Sequence, residues 1–404
     1  MRLLLCTPFK PLDHPRLSGD VTIPRDLRDW LVARGHEVLA APHATTKWFP
    51  WRPGAWAELL RAAGPALEAA RGADGWLTYH TYYKTPDLLG PLAHARTGIP
   101  YFIFSGAYAR KRRSRPSTFP GYVLNRRALL AADHIFCNKR PDVESLARLV
   151  PAERLTYTAP GIPVDRFRRD ESARRRLRAE WGVGTGARVV VSAALFRPGV
   201  KVEGLRATMR ACARLAERGL DPYLVLAGDG PARAELRAEV ERLLPGRVRM
   251  LGLVDRWRLH EIYSAGDVFA FPGINEGLGM VYLEAQCCGL PVVATDHAGA
   301  KDVVADGEGG LLISAAGPDW EERFAEAVGR VLADDGLRAQ LARGAADFVR
   351  ARHDLNEVLP EMERTMREIV HAADVRGGGT RSGAGRNGEP LDGGNATGNR
   401  GSGG

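Results

Sequence analysis

Two long series of short apolar runs alternating with amphipathic stretches constrain this chain more than any other feature. Such alternation builds parallel strand–helix units and argues against an all-helical or all-antiparallel fold. The first series opens with a strand over residues 2–7. A helix follows over 21–34, whose Ile23, Leu27, Trp30 and Leu31 recur at helical spacing, and then a strand over 35–40. The pattern repeats with a helix over 55–71, a strand over 75–80, a helix over 86–96 and a strand over 101–104. Residues 129–138 and 155–160 add two further elements, helix or strand. After residue 169 a second series begins: strand 188–194, helix 204–218, strand 223–228, helix 231–244 and strand 248–252. A short strand then runs into Pro272, followed by a helix over 278–288, strands over 291–295 and 310–313, and helices over 320–348. The fold class expected is α/β, with two doubly wound sheets.

A chain of 404 residues exceeds what one core usually holds, and 45% hydrophobic residues suffice to fill two. The expected division is 1–168 and 169–352, with a hinge near 160–170 and a last helix over 353–372. The Gly- and Arg-rich tail over 376–404 has too little to bury and is expected to be disordered. No apolar run reaches the roughly 18 residues of a membrane span, and the first apolar stretch is shorter than a secretory signal, so a cytoplasmic protein is expected. Five cysteines, at 6, 137, 212, 287 and 288, lack metal-ligand spacing, and their odd number argues against a disulfide framework. The net charge of +9 is spread mostly over helix faces that water solvates. Arg110, Lys111, Arg112, Arg113 and Arg115 form a denser cluster. It suits either a solvated loop or peripheral contact with the inner face of an anionic membrane, and no nucleic-acid partner is expected.

The stretch from Pro272 to Pro291 sets Glu276 and Glu284 across a strand-to-helix turn. Gly277 and Gly279 let backbone approach a ligand closely, and Gly289 followed by Pro291 ends the helix. Helix N-termini attract phosphate through unpaired amides, and a carboxylate farther along can accept hydrogen bonds from sugar hydroxyls. Spacing alone leaves a second reading open, in which Glu276 caps the helix and Glu284 is a solvated side chain.

With its surroundings this run resembles, residue by residue, the E-x7-E segment of retaining glycosyltransferases of the GT-B fold, family 4 type (glycosyl transferases group 1). The resemblance spans about residues 1–370. It implies two Rossmann-like domains facing across a cleft, 1–168 on the acceptor side and 169–352 binding a nucleotide sugar, with the last helix crossing back to the first domain. By resemblance, Glu276 lies beside the donor sugar, the amides of Gly277, Leu278, Gly279 and Met280 contact sugar or diphosphate, and Glu284 binds the ribose. Gly19 matches the glycine loop under the diphosphate, Arg197 and Lys201 the cations that bind it, and Gly252 the backbone against the base. Arg197 stands one residue nearer Lys201 than the common pattern. Gly228-Asp-Gly230 matches a strand-to-helix glycine turn, which a plain tight turn explains as well. Where the family commonly carries His-Gly after the strand at 101–104, this chain has Ser105-Gly106. His80, at the neighbouring strand end, points toward the same cleft, as a proton relay or as a structural histidine.

The activity implied is transfer of a sugar, with retention, from a nucleotide diphosphate sugar to a hydroxyl of a sugar, glycolipid or small molecule, in cell-envelope polysaccharide or glycolipid synthesis. Lysine and arginine suit the diphosphate because negative charge builds there as the glycosidic bond breaks. Nothing resembles a D-x-D metal site, so neither a metal nor another cofactor is expected. Competing readings are an epimerase or phosphorylase of the same fold, and a non-catalytic GT-B-like binder that uses the basic cluster for membrane or nucleic acid.

Overall fold

The structure is a computed structural model that describes residues 1–15, 18–184, 186–274 and 277–376. Glu276 and the tail from residue 377 lie outside the described residues. Six strands form a first sheet: β1 Arg2–Cys6, β2 Glu37–Ala40, β3 Gly75–Tyr79, β4 Tyr101–Phe104, β5 His134–Cys137 and β6 Leu155–Tyr157. Six more form a second: β7 Arg188–Ala193, β8 Pro222–Ala227, β9 Val248–Gly252, β10 Val268–Ala270, β11 Val292–Thr295 and β12 Gly310–Ile313. The strand orders are β2-β1-β3-β4-β5-β6 and β12-β11-β10-β7-β8-β9, and every pairing is parallel. Central strands such as Leu3-Leu4-Leu5 and Val189-Val190-Val191 are buried throughout, as strands covered by helices on both faces must be.

Strand order reverses between β1 and β3 in the first sheet and between β7 and β10 in the second. At such switch points the helices leaving neighbouring strands go to opposite faces, and a crevice opens beyond the carboxyl ends. The two crevices face one another: Leu278 and Met280, just after β10, pack against the apolar cluster that holds Leu3, Leu5, Ile23, Leu27 and Phe104 of the first half.

Each expected element has an observed counterpart displaced by a few residues, and the structure adds the short helices Arg140–Leu146, Leu259–Ala265 and Ala298–Val303. The helix expected from 204 begins at Val200 (Val200–Glu217), which corrects the position of Lys201 from a loop to the first helical turn. Residues 129–138 divide into the end of the helix Phe119–Ala131 and strand β5. The last periodic stretch is two helices, Leu355–Val358 and Pro360–Arg376, because Pro360 has no N–H to continue the first.

Leu355, Leu359, Met362, Met366 and Val370 of these final helices pack with Leu3, Leu5, Leu27 and Trp30 of the first half. The contact is reinforced at Glu363, whose Oε2 accepts from Arg34 Nε at 2.6 Å and whose Oε1 lies 2.9 Å from His36 Nε2 and 2.8 Å from Arg367 Nη2. Two chain segments cross between the halves side by side. Ile162 N donates to His353 O at 2.9 Å and Leu355 N donates to Ile162 O at 3.2 Å, a parallel bridge, with His353 Nδ1 2.6 Å from Pro160 O.

Candidate active site

Among the described residues, the expected site residues follow the carboxyl ends of strands: Gly19 after β1, His80 after β3, Arg197 and Lys201 after β7, Gly252 at the end of β9, and Gly277 to Glu284 after β10. In the first half, Gly19 opens the helix Gly19–Ala33, with Asp20 in its first turn. His80 follows β3 and Ser105 follows β4, both with left-handed backbone, φ 62° and φ 64°. Histidine and serine in that region are strained, and such strain is usually kept where a side chain must be aimed. His80 Nδ1 lies 3.0 Å from Asp20 Oδ1, and its ring stacks on Tyr82 with 4.8 Å between centroids. Burial raises the Asp20 carboxyl, but the contact with His80 and the charges of Lys10 and Lys139 outweigh it and hold it below the usual carboxylate range. Lys139 follows β5 and reaches across the cleft: its Nζ is 3.6 Å from where a Cβ on Gly277 would stand.

In the second half, the loop after β7 carries exposed Arg197 and leads through Gly199 into the helix bearing Lys201. This loop is shaped by the turn after β8. A Cβ on Gly228 (φ 143°) would stand 1.9 Å from Ala194 O, and one on Gly230 (φ 157°) 2.5 Å from Phe196 O. The two glycines therefore serve close backbone packing under the Arg197 loop. Gly252 closes β9 at φ 74°, and its carbonyl accepts from Gly228 N at 2.8 Å.

After β10 the chain turns at exposed Gly277 into the helix Met280–Cys287, with Gly279 as N-cap at φ 63°. A Cβ on Gly279 would stand 2.4 Å from the Tyr282 ring, so only glycine fits there. The helix is too short to be amphipathic over its length and is buried nearly all round, Glu284 included. Glu284 is thus not the solvated helix side chain of the plainer sequence reading. Its Oε1 accepts from Arg256 Nε at 2.9 Å, and Tyr263 OH makes a long 3.4 Å contact with Oε2. The same guanidinium donates through Nη1 to Asp26 Oδ1 at 2.8 Å. Burial pushes both carboxyls above their ordinary range, against the pull of Arg256. Burial also lowers the Arg256 guanidinium, but the two carboxylates outweigh it and hold it charged.

Asp26, Arg256, Asp20 and Lys139 were not singled out from the sequence. Asp26 left a trace: it shares a helix face with Ile23, Leu27 and Trp30, where a carboxylate needs a partner. Arg256 left none, since it sits in a short turn among other arginines. No group of three or more His, Cys, Asp or Glu among the described residues could hold a metal ion, and no described helix is long and apolar enough to cross a membrane.

Comparison with known proteins accords with this geometry. The family model for glycosyl transferases group 1 matches residues 187–334. The chain is 32% identical over 301 residues to a D-inositol 3-phosphate glycosyltransferase of Xylanimonas cellulosilytica, covering 70% of each, and 30% identical over 324 residues to that of Acidothermus cellulolyticus, covering 75% and 68%. Among solved structures it resembles sucrose-phosphate synthase from Thermosynechococcus elongatus (TM-score 0.69, 20% identity, 92% of this chain and 99% of that one). It also resembles Anabaena HepE in complex with UDP and glucose (TM-score 0.68, 19% identity, 91% and 99%). The chain belongs to the group 1 glycosyltransferases and has the GT-B fold. It is a glycosyltransferase.

Proposed function

We propose that the chain moves a sugar, with retention at the anomeric carbon, from a nucleotide diphosphate sugar to a hydroxyl acceptor. The observation that carries this is the meeting of the two switch points. The Arg197 loop, Lys201 in the first turn of the helix after it, the glycine turn at 277–279 and Glu284 stand on one side, and the strained pair His80 and Ser105 on the other. Residues 1–168 form the acceptor side and 169–352 the donor side, with 353–372 crossing back. In this reading Lys201 and Arg197 take the leaving diphosphate, the amides from Gly277 to Met280 hold sugar or phosphate, and Glu284 anchors the ribose. Gly19 lies under the diphosphate, Gly252 against the base, and Glu276 beside the sugar. The leaving phosphate takes the acceptor proton, so no separate base and no metal is required. The solved HepE complexes hold UDP or UDP-glucose, which favours a uridine donor.

The acceptor side carries a further observation. Between Asp87 and Asp133 there is no acidic residue but eight arginines and lysines, including the exposed Arg110, Lys111, Arg113 and Arg115. Beside them Trp51, whose Nε1 donates to Ser117 O at 3.0 Å, is 58% exposed, and Trp56, Leu60 and Phe119 are exposed as well. Cations interleaved with aromatic rings suit the interface of an anionic membrane. We therefore place the enzyme in the cytoplasm, against the inner face of a membrane, in envelope polysaccharide or glycolipid synthesis.

The deciding experiment is a thermal-shift screen of UDP, GDP, ADP and TDP, followed by nucleotide release from the matching sugar donors. A ligand at a hundred times its dissociation constant adds about 2.7 kcal/mol of stability. One nucleotide should stabilise the chain, and Glu276→Ala or Lys201→Ala should abolish release; no shift with any of the four would defeat the proposal. An epimerase, a phosphorylase and a non-catalytic binder draw no support from the named relatives.

A further inference from the structure

Arg256 touches both the ribose-side carboxylate Glu284 and, through Asp26, the first half of the molecule. Its guanidinium is clasped at 2.9 Å by Glu284 and at 2.8 Å by Asp26, each side chain less than a tenth exposed, and it lies over the rings of Phe167 and Trp257. Phe167 belongs to the segment that joins the halves, and Asp26 to the helix whose first turn holds the partner of His80. Two carboxylates thus share one cation, and each sits in a different half.

The contacts leave a specific pattern of unmet bonding. Arg256 takes Glu284 through Oε1 alone, so Oε2, with only the long Tyr263 contact, keeps its capacity to accept. Asp26 Oδ2 and Arg256 Nη2 are buried with no hydrogen-bond partner. A glutamate held by one oxygen in a single rotamer presents the other in a fixed direction, which a diol can use without an ordering penalty.

We infer that Arg256 is a positioning residue for the nucleotide subsite: it aims Glu284, and through Asp26 it makes that aim depend on the two halves being docked. The inference rests on Glu284 being the ribose anchor. It predicts that nucleotide affinity responds to Asp26, a residue of the opposite half with no part in holding the nucleotide.

The test measures calorimetric affinity for the nucleoside diphosphate found in the screen above, on the full chain and on Glu284→Gln, Arg256→Gln, Arg256→Lys and Asp26→Asn, with melting temperatures alongside. A hydrogen bond to a charged group is worth about 1.5–3 kcal/mol, so Arg256→Gln should weaken binding roughly 10- to 100-fold. Asp26→Asn should weaken it several-fold, and Arg256→Lys should recover part of the loss. In the Glu284→Gln background Arg256→Gln should add nothing, because its effect passes through that carboxylate. If Glu284→Gln weakens binding while the Arg256 and Asp26 variants lower only the melting temperature, the positioning role is overturned and the ribose reading stands. If Glu284→Gln leaves affinity unchanged, the ribose reading fails and the positioning role falls with it. Additive losses in the double variant would also overturn the role.

Discussion

His80 Nδ1 sits 3.0 Å from Asp20 Oδ1, which joins the end of β3 to the first turn of the helix Gly19–Ala33. The contact fixes an imidazole whose backbone is left-handed, at the mouth of the cleft. Asparagine tolerates that backbone and alanine does not, so the pair His80→Asn and His80→Ala separates chemistry from strain. Both should lower kcat about tenfold, the loss of roughly one hydrogen bond made to the reacting groups in the transition state. Only the alanine variant should also lose stability, by about 1–2 kcal/mol in a denaturant melt. Full activity in His80→Asn would remove the ring from the reaction.

Lys201 stands in the first turn of its helix, where the amide dipoles also favour an anion, whereas Arg197 is exposed on the loop before it. Lys201→Ala should therefore cost more than Arg197→Ala. An expected fall in kcat/KM of about 10²–10³ follows from removing one group that stabilises developing charge. Nucleotide release from the donor measures both, and a larger loss at Arg197 would reverse the assignment.

Acid should loosen the last helix from the first half. Burial acts to raise the Glu363 carboxyl, but hydrogen bonds from His36, Arg367 and Arg34 outweigh it and bring it down from 4.5 to about 2. A carboxyl depressed in the fold stabilises above its unfolded value, so its contribution is complete above pH 4.5 and is lost as pH falls toward 2. Burial pulls His36 below 6.5, so the fold favours its neutral form and its contribution is likewise lost on the acid side. Glu363→Gln should lower the melting temperature at pH 7 by an amount equivalent to about 2–4 kcal/mol. That difference should shrink steadily below pH 4.5. A difference independent of pH would show that ionisation of Glu363 is not the source.

Vesicles test the basic face directly. The chain should sediment with phosphatidylglycerol vesicles and not with phosphatidylcholine. At about 1 kcal/mol per cation near an anionic surface, replacing Arg110, Lys111, Arg113 and Arg115 by serine should cut partitioning by roughly two to three orders of magnitude. Trp51→Ser and Trp56→Ser should reduce it further while leaving transfer to a water-soluble acceptor intact. Equal binding to both lipids would point to a surface that water merely solvates.

The sheets were legible because buried parallel strands must be apolar on both faces and helices must be periodic, and both patterns are local. The start of the Lys201 helix at Val200 is not legible, since Val200 and Lys201 precede the clear periodicity and only tertiary packing shows that the turn has already begun. Gly228 and Gly230 were ambiguous for a similar reason: their need for glycine comes from Ala194 and Phe196, more than thirty residues away in the chain. Glu284 could be read as a candidate from its neighbours, but its partner could not. Asp26 and Arg256 are 230 residues apart, and no spacing rule connects them.

The paired crossing at Ile162 and His353 has a mechanical consequence. Two segments tied by backbone hydrogen bonds resist being pulled apart or slid past each other. Sliding the halves past each other along this strip would break both bonds, whereas a bend shared by the two segments would keep them. Any relative movement that keeps these bonds intact brings the two halves back in the same register.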